Sequence, residues 1–317
     1  MSSRSNDNGR AFEFITLIVL NNEINKIRDA VVIKNSSFEA TKRSWENIDT
    51  PLQEDLKKAA NAAVKTIFEL EPMILEDDND ILELLIQQDS EGEKGDVRDI
   101  LIIRSHVNWE IGLSLKHNHH AVKHNRLSPT IDFGDKWFSL PCSEKYWDDV
   151  NPLFDYLKKE KNKGTLWREL PDKENDVYVP LLNAFIDEIE RSYNKNSEVP
   201  RKMVEYLLGE YDFYKVVSID EDKITQILTF NMRGTLNQKT KTTQPTTLIP
   251  KASLPNRLIK IGFKPNKKNT IEMFLDEGWQ FSFRIHNAST KVEPSLKFDI
   301  QIVGMPTTII SINCIWK

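Results

Sequence analysis

The sequence predicts a mixed α/β protein, and three patterns support this fold class. Apolar residues in the first 70 positions recur every three or four residues, which is typical of amphipathic helices. Between residues 81 and 117 the apolar runs are short and bounded by polar turns, as in strands. From Phe213 onward apolar and polar side chains alternate, so the last third of the chain is expected to be rich in strands.

The first elements are placed by their start and stop signals. Residues 9–28 have apolar side chains at helical spacing and are predicted as a helix. Asp49-Thr50-Pro51 is typical of a helix start, because aspartate caps the first turn and proline is favoured within it. This second helix is expected to end before Pro72. Residues 81–88 alternate in polarity and are predicted as a strand.

The middle of the chain predicts more helices, and the remainder predicts strands. Amphipathic spacing indicates helices over residues 146–161, 179–193 and 200–208. Strands are predicted over residues 214–219, 224–230, 258–263, 271–275, 279–286, 298–303 and 307–315.

A predicted β-hairpin carries the residues most suited to chemistry. Asp96 and Asp99 precede the apolar run 100–103, and Lys116 ends the next apolar run. A bend centred near His106 places Asp96 opposite Lys116, whereas a slip of one residue swaps which aspartate faces the lysine. The register stays open, but either register brings a carboxylate close to the amine.

A carboxylate and a lysine held together suit phosphodiester hydrolysis. Carboxylates bind Mg²⁺, which polarises phosphate oxygens and acidifies a bound water. A lysine beside them can orient or deprotonate that water. The hairpin therefore predicts a magnesium-dependent hydrolytic site.

The same residues resemble a known family. The hairpin is similar to the Asp…(Asp/Glu)-x-Lys core of the PD-(D/E)xK nucleases, and residues 95–128 closely resemble the HaeIII-type restriction endonucleases. Similarity continues in residues 5–13, 68–75 and 279–290, so it covers nearly the whole chain. The resemblance implies a mixed central sheet flanked by helices. It also implies a catalytic core over residues 1–145, a helical region over 146–212 and a β-rich, basic DNA-recognition region over 213–317.

One position departs from the nuclease motif. The motif has an acid two residues before the lysine, where this chain has Ser114. Similar restriction enzymes take the missing carboxylate from a helix, and the candidates here are Glu13, Glu69, Glu71 and Glu110. Glu110 is disfavoured, because six strand residues place it about 20 Å from Lys116. Resemblance to the first helix of related nucleases favours Glu13. The expected catalytic residues are Asp96, Asp99, Lys116, Glu13 and Ser114, and the expected metal ligands are Asp96, Asp99, Glu13 and Glu69.

Charge is distributed unevenly along the chain. The net charge is −5, but residues 223–317 carry 14 basic and 5 acidic side chains, whereas residues 1–222 carry 29 and 43. A basic segment on an acidic protein is a sign of a nucleic-acid partner. The predicted DNA contacts are Asn118, His119, Lys123, Arg126, Arg233, Lys239, Lys241, Arg257, Gln280, Arg284, His286 and Asn287. The first of these are expected on a polar helix start that follows Lys116, and those around residue 240 on a mobile loop.

Other classes of protein are disfavoured by composition. Only Cys142 and Cys314 are present, without the spacing of a zinc site or a disulfide framework. Residues 1–8 are polar, and the apolar run 14–20 is far below the ~20 residues of a membrane span. We therefore expect a cytoplasmic protein without a membrane partner.

The resemblance implies a type II restriction endonuclease that cuts double-stranded DNA with Mg²⁺ at a short palindrome, GGCC. A homodimer is one arrangement that suits a palindrome, although a monomer acting twice also does. A cognate DNA methyltransferase that acts on the same site is the expected companion. The alternatives are a non-catalytic DNA-binding protein of the same fold, which Ser114 keeps open, and a structure-selective DNA repair nuclease.

Overall fold

The computed structural model describes residues 2–88, 95–120, 122 and 125–317, with side chains from residue 6 onward. The chain divides into two compact units. The first contains residues 1–120, 209–253 and 307–317, and the second contains residues 121–208 and 254–306. These units cut across the three consecutive regions expected from the sequence, because late strands return to the sheet built by the first 120 residues.

Seven helices and twelve strands have the following bounds in the described residues. The helices are α1 Ser2–Ile24, α2 Ser36–Asn47, α3 Thr50–Leu70, α4 Phe133–Phe138, α5 Glu144–Lys163, α6 Val179–Lys195 and α7 Val199–Leu208. The strands are β1 Ala30–Ile33, β2 Leu82–Ile86, β3 Ile100–Arg104, β4 Trp109–His117, β5 Arg126–Leu127, β6 Phe213–Ile219, β7 Ile224–Phe230, β8 Leu258–Phe263, β9 Thr270–Leu275, β10 Gln280–His286, β11 Leu296–Gly304 and β12 Ser311–Ile315.

The first unit is built on a seven-stranded mixed sheet. Its order is β1-β2-β3-β4-β6-β7-β12, with β1 parallel to β2 and β4 parallel to β6, while the other neighbours are antiparallel. Helices α1 and α3 contribute Phe12, Leu20 and Ile67 to a core that includes Leu84 and Ile102 of the sheet, all fully buried. The predicted α/β class with a mixed sheet flanked by helices is confirmed.

Helix α3 shows how local signals set an element. The Asp49 carboxylate accepts a hydrogen bond from the Leu52 backbone nitrogen at 3.0 Å, and Pro51 lies in the first turn. Both features fit the start that the sequence predicts. At the other end the chain passes through Glu71 into a short 3₁₀ turn that begins at Pro72.

The hairpin of β3 and β4 forms as predicted, with a defined register. Arg104 pairs with Trp109, and the connection is a 3₁₀ turn over residues 105–107 followed by Asn108 in the left-handed region. Ile100 lies opposite Leu113, which differs by one residue from a bend centred on His106. Because the side-chain period of a strand is two, this single step decides which aspartate approaches Lys116.

The second unit contains helices α4 to α7 and a five-stranded antiparallel sheet. The strand order is β5-β11-β10-β9-β8. Buried aromatic rings from the helices and from one face of the sheet pack together, including Phe133, Trp137, Phe185, Phe283 and Phe298. The other face of this sheet is polar, because alternate residues of β10 and β11 point away from the aromatic core.

The segment after Lys116 differs from the prediction. The expected helix start is wrong for the described residues there, since Asn118 takes a left-handed φ of 57° and residues 119, 120, 122 and 125 are not helical. The chain instead enters the second sheet, where Val122 donates to the Ile300 carbonyl and Arg126 pairs with Lys297. Lys123 lies outside the described residues.

The irregular segment 231–253 also has more anchors than its composition indicates. The Asp212 carboxylate accepts hydrogen bonds from the backbone nitrogens of Arg233 and Thr235, at 2.8 Å each. Further along, the Asn237 side chain donates to the Leu70 carbonyl at 2.8 Å. The first two contacts tie the segment to the start of β6, and the third ties it to the end of α3. Within the described part of the chain, no helix has the length and apolar character that a membrane span requires.

Candidate active site

One end of the first sheet brings Asp99, Ser114 and Lys116 together. Strand β3 begins just after Asp99, and its antiparallel neighbours β2 and β4 end at the same side. Lys116 is the next-to-last residue of β4. The Gln87 nitrogen, just beyond β2, bonds to the Asp99 carbonyl at 2.9 Å. Strand pairing therefore brings residues distant in sequence to one edge.

Asp99 is the aspartate that meets Lys116. The Lys116 ammonium lies 3.2 Å from Oδ2 of Asp99. The same oxygen accepts hydrogen bonds from the Leu115 backbone nitrogen at 2.6 Å and from the Ser114 hydroxyl at 3.3 Å. About a quarter of each charged side chain is exposed, so a substrate can reach the pair. Ser114 thus orients the carboxylate from the position where the nuclease motif has an acid.

Asp96 has a different partner. Its two carboxylate oxygens lie 2.8 and 2.7 Å from Nε and Nη2 of Arg98, a bidentate pair. Arg98 also donates to Glu110 at 2.8 Å and lies 4.0 Å from the ring centre of Tyr211. In the described contacts Asp96 therefore holds the residues just before β3 through Arg98, and it does not contact Lys116. The expectation that Asp96 and Asp99 are both metal ligands therefore stays a prediction, with Asp99 the one of the two in contact with Lys116.

The path of the Arg98 side chain depends on Gly112. An added Cβ at this position would lie 2.0 Å from Cδ of Arg98 and 2.7 Å from its Cβ. Only glycine leaves room for the arginine to cross β4. The run Glu110-Ile111-Gly112 thus supplies both the second carboxylate partner of Arg98 and the space for it.

Each of the four other candidate carboxylates lies in a different setting, and three of them are partly accessible. Glu13, on α1, lines an open cavity of about 330 Å³ together with Arg10, Gln87 and Gln88, next to the strand end that holds Asp99. Glu69 lines a separate cavity with residues 76–78, 241–244 and 246. Glu110 is paired with Arg98.

Glu71 is buried and already bonded. Its Oε1 accepts hydrogen bonds from the Tyr214 hydroxyl and the Asn237 backbone nitrogen, each at 2.5 Å. Burial raises the pKa of its carboxyl to about 7, against the lowering effect of these hydrogen bonds.

Among the described residues, no three His, Cys, Asp or Glu side chains form a group that could hold a metal. The four predicted ligands are therefore not brought together, and Glu13 is the one placed beside the Asp99 end of the sheet.

Lys215 is a site residue that sequence reasoning missed. It lies on β6 directly opposite Ser114, is 2% exposed, and donates to the His120 carbonyl at 2.7 Å. Burial first, and then the charge of Lys116, lower the pKa of its ammonium to about 7, while Asp99 acts in the opposite direction. The available signal was a lysine inside the apolar run Phe213-Tyr214-Lys215-Val216-Val217, since a lysine is rarely buried without a specific partner.

The predicted DNA contacts of the first unit have varied surroundings. Asn118 is a turn residue that donates to the Asp220 carboxylate at 2.8 Å and accepts from the Asp220 nitrogen at 2.9 Å. His119 is half-buried. Arg233 donates to the Glu210 carbonyl, Lys241 lies 3.3 Å from Asp78, and Lys239 is exposed.

Four predicted DNA contacts of the second unit, Arg126, Gln280, Arg284 and His286, share one surface. Gln280, Arg284 and His286 alternate along β10 and point away from the aromatic core. His286 is opposite Lys297 of β11, which is opposite Arg126 of β5. We call this face, formed by Arg126, Gln280, Ser282, Arg284, His286, Lys297 and Asp299, the polar sheet face. Burial and the nearby Arg284 lower the pKa of His286, and burial and Arg126 lower that of Lys297. Arg126, Arg284 and Lys297 carry positive charge on this face, and Asp299 carries negative charge.

Two predicted contacts lie outside the polar sheet face. Arg257, before β8, is 3.3 Å from the Asp276 carboxylate. The Asn287 amide, just after β10, donates to the carbonyls of Ser289 and Lys291. Asn287 therefore shapes the turn that follows the strand.

Comparison with known proteins shows the family to which this chain belongs. A model of the HaeIII restriction endonuclease family matches residues 9–306. The type II restriction enzyme HaeIII of Haemophilus aegyptius is 53% identical over 318 residues, with complete coverage of both chains. No solved structure matches this chain significantly. With nearly the whole length matched by the family and half of all residues shared with a named member, the chain belongs to the HaeIII restriction endonuclease family.

Proposed function

We propose that this protein is a type II restriction endonuclease that hydrolyses double-stranded DNA at GGCC with Mg²⁺. The observation that carries the proposal is the Asp99–Lys116 pair at an accessible sheet edge, 3.2 Å apart. Family membership supports the reaction class, and the related enzyme from Haemophilus aegyptius is itself named a type II restriction enzyme.

The residues at this edge fit a magnesium ion. Mg²⁺ is commonly held by one or two carboxylates together with waters and substrate phosphate, so a cage of three acidic residues is not required. Asp99 and Glu13 are the two ligands that we assign. When bound, Mg²⁺ would polarise the scissile phosphate and lower the pKa of a bound water.

The protein's own groups have separate roles in this proposal. Ser114 and the Leu115 backbone nitrogen hold the Asp99 carboxylate in one orientation. The Lys116 ammonium orients the attacking water and carries positive charge next to the phosphate. Asp96 and Arg98 keep the start of β3 in place, which fixes the position of Asp99.

Recognition is assigned to the polar sheet face of the second unit. Guanine presents O6 and N7 as adjacent acceptors in the major groove, and an arginine can bond to both. Arg126 and Arg284 are exposed on this face and are the preferred guanine readers. Lys239, Lys241 and Arg233 are assigned to backbone phosphates, where a positive charge is sufficient.

The palindromic site suits a two-fold dimer in which each protomer cuts one strand. A methyltransferase that modifies GGCC would complete the system, because the nuclease would otherwise cut the DNA of its own cell. Both partners are part of the proposal.

One experiment tests the proposal against its alternatives. Plasmid DNA with and without methylation at GGCC is incubated with the protein and Mg²⁺, and a branched duplex serves as a second substrate. Discrete fragments from the unmethylated plasmid alone are expected. Preference for the branched substrate would indicate a repair nuclease, and binding without cleavage would indicate a non-catalytic protein; either result would refute the proposal.

A further inference from the structure

Lys215 lies beside the Asp99–Lys116 pair without belonging to the motif. Strands β4 and β6 are parallel, and Ser114 is paired with Lys215. Paired residues of neighbouring strands point to the same face, as do residues two apart on one strand. Ser114, Lys116 and Lys215 therefore share a face of the sheet, and Asp99 contacts the first two of them.

The Lys215 ammonium is engaged by the backbone just beyond Lys116. Its Nζ donates to the His120 carbonyl at 2.7 Å, and the residue is 2% exposed. Two residues earlier, the Asn118 nitrogen donates to the Ser218 carbonyl of the same strand β6 at 2.8 Å. Strand β6 thus holds the chain that leaves β4 at two points, residues 118 and 120.

Stability does not account for a lysine at this position. An ammonium loses favourable hydration on burial, and a neutral side chain of similar length would avoid that cost. The charged groups around it are Lys116, which repels it, and Asp99, which attracts it. A residue that is costly for folding and lies against a reactive pair is a candidate for a role in the reaction.

We propose that Lys215 is a positioning residue for DNA cleavage: by holding the His120 carbonyl it fixes the chain after Lys116 and keeps the Lys116 ammonium at Asp99. The proposal rests on the function proposed above. Because Lys215 is almost fully buried and bonded to the backbone, it acts through Lys116 rather than on the DNA itself.

The test compares Lys215→Met with Lys223→Met in the full-length protein. Lys223 lies in the turn between β6 and β7 of the same sheet, where it is half-exposed and pairs with Asp55 at 2.7 Å. Single-turnover cleavage of a GGCC duplex with Mg²⁺ gives a rate constant and an amplitude. Lys215→Met is expected to lower the rate constant about 10- to 100-fold, as for other residues that orient catalytic groups. The amplitude and the affinity for DNA without metal are expected to stay unchanged. The melting temperature is expected to stay unchanged or to rise. Lys223→Met is expected to cleave at the unsubstituted rate.

The outcomes separate the inference from the function on which it rests. If the unsubstituted protein does not cleave GGCC DNA, the proposed function fails and the inference fails with it. If it cleaves and Lys215→Met matches its rate constant, only the inference is refuted. A reduced amplitude with an unchanged rate constant would also refute it, because that result indicates a misfolded fraction. Should Lys215→Met not fold, Lys215→Gln decides: its amide is too short to hold the His120 carbonyl as the lysine does, and a folded variant with an unchanged rate constant would refute the inference.

Discussion

The Lys116 ammonium lies 3.2 Å from Oδ2 of Asp99. The same oxygen accepts a hydrogen bond from the Leu115 backbone nitrogen at 2.6 Å. Asp99 and Lys116, 17 positions apart in the sequence, are thus held together by the hairpin that carries both. The backbone contact positions the carboxylate independently of the lysine. Removing the lysine should therefore leave the site formed but inactive.

Lys116→Ala is expected to reduce cleavage of GGCC DNA by about 10²–10⁴-fold, because it removes the group that orients or deprotonates the attacking water. Affinity for the same duplex without metal should change little. Lys26→Ala is the matched control, since Lys26 is exposed and pairs only with Glu23 at 2.7 Å among the contacts described. Cleavage by Lys116→Ala near the native rate would contradict the role assigned to Lys116.

Asp99→Asn and Asp96→Asn are expected to fail in different ways. Asp99→Asn should abolish Mg²⁺-dependent cleavage with an unchanged melting temperature. Asp96→Asn should instead lower the free energy of unfolding by about 1–3 kcal/mol, because it weakens the bidentate pairing of the buried Arg98. Urea unfolding and single-turnover cleavage, measured on both variants, separate the two effects. Loss of cleavage at full stability in Asp96→Asn would place Asp96 in the metal site.

The hairpin shows which features a sequence determines locally. Its strands were predictable from apolar runs and polar boundaries, and strands β7 and β8 were predicted with their observed bounds. The register was not predictable, because it depends on whether the connection between the strands contains four or five residues. Arg104 pairs with Trp109, so the connection contains four residues and ends at the left-handed Asn108. That difference of one residue assigns Lys116 to Asp99.

Long-range contacts explain what the sequence left out. The sequence around Asp96 does not show that Arg98 will donate to its carboxylate, because that pairing also needs the open space at Gly112. Lys215 contacts the site only because β6 returns beside β4 after nearly 100 residues. The polar residues after His117 were expected to begin a helix, but the described Arg126 instead pairs with Lys297 in the second sheet.

Gly112→Ala tests whether space for Arg98 is essential. The new Cβ would overlap three carbons of the arginine side chain, including its Cβ at 2.7 Å. We expect unfolding to require about 1–3 kcal/mol less free energy, as for other overpacked positions. Gly262→Ala is the control, because this strand glycine has no atom within 4 Å of an added Cβ. Equal stabilities of the two variants, measured by urea unfolding, would argue against the proposed constraint.

Glu71→Gln tests the buried carboxyl through the pH dependence of stability. The folded-state pKa of about 7 is above the ordinary value of 4.5, so the folded protein holds this proton more tightly than the unfolded chain. The wild type should therefore lose stability relative to Glu71→Gln as the pH rises from about 4.5 to about 7. The full difference is of order 3 kcal/mol above that range. Urea unfolding at pH 5, 6, 7 and 8 measures it, and parallel curves for the two proteins would contradict the raised pKa.

Arg284→Ala tests the polar sheet face as the base-reading surface. Arg284 is exposed on β10 and lies 3.0 Å from Asp299, so its loss removes a donor pair and leaves a carboxylate on the same face. If Arg284 reads guanine, binding to a GGCC duplex should weaken by about 1–3 kcal/mol while binding to a scrambled duplex changes little. Arg201→Ala, an exposed arginine paired with Glu205 on α7, is the matched control. Fluorescence anisotropy without metal, at several salt concentrations, measures both duplexes. An equal loss on both, with a smaller salt slope, would make Arg284 a phosphate contact, because counterion release accompanies phosphate binding whatever the sequence.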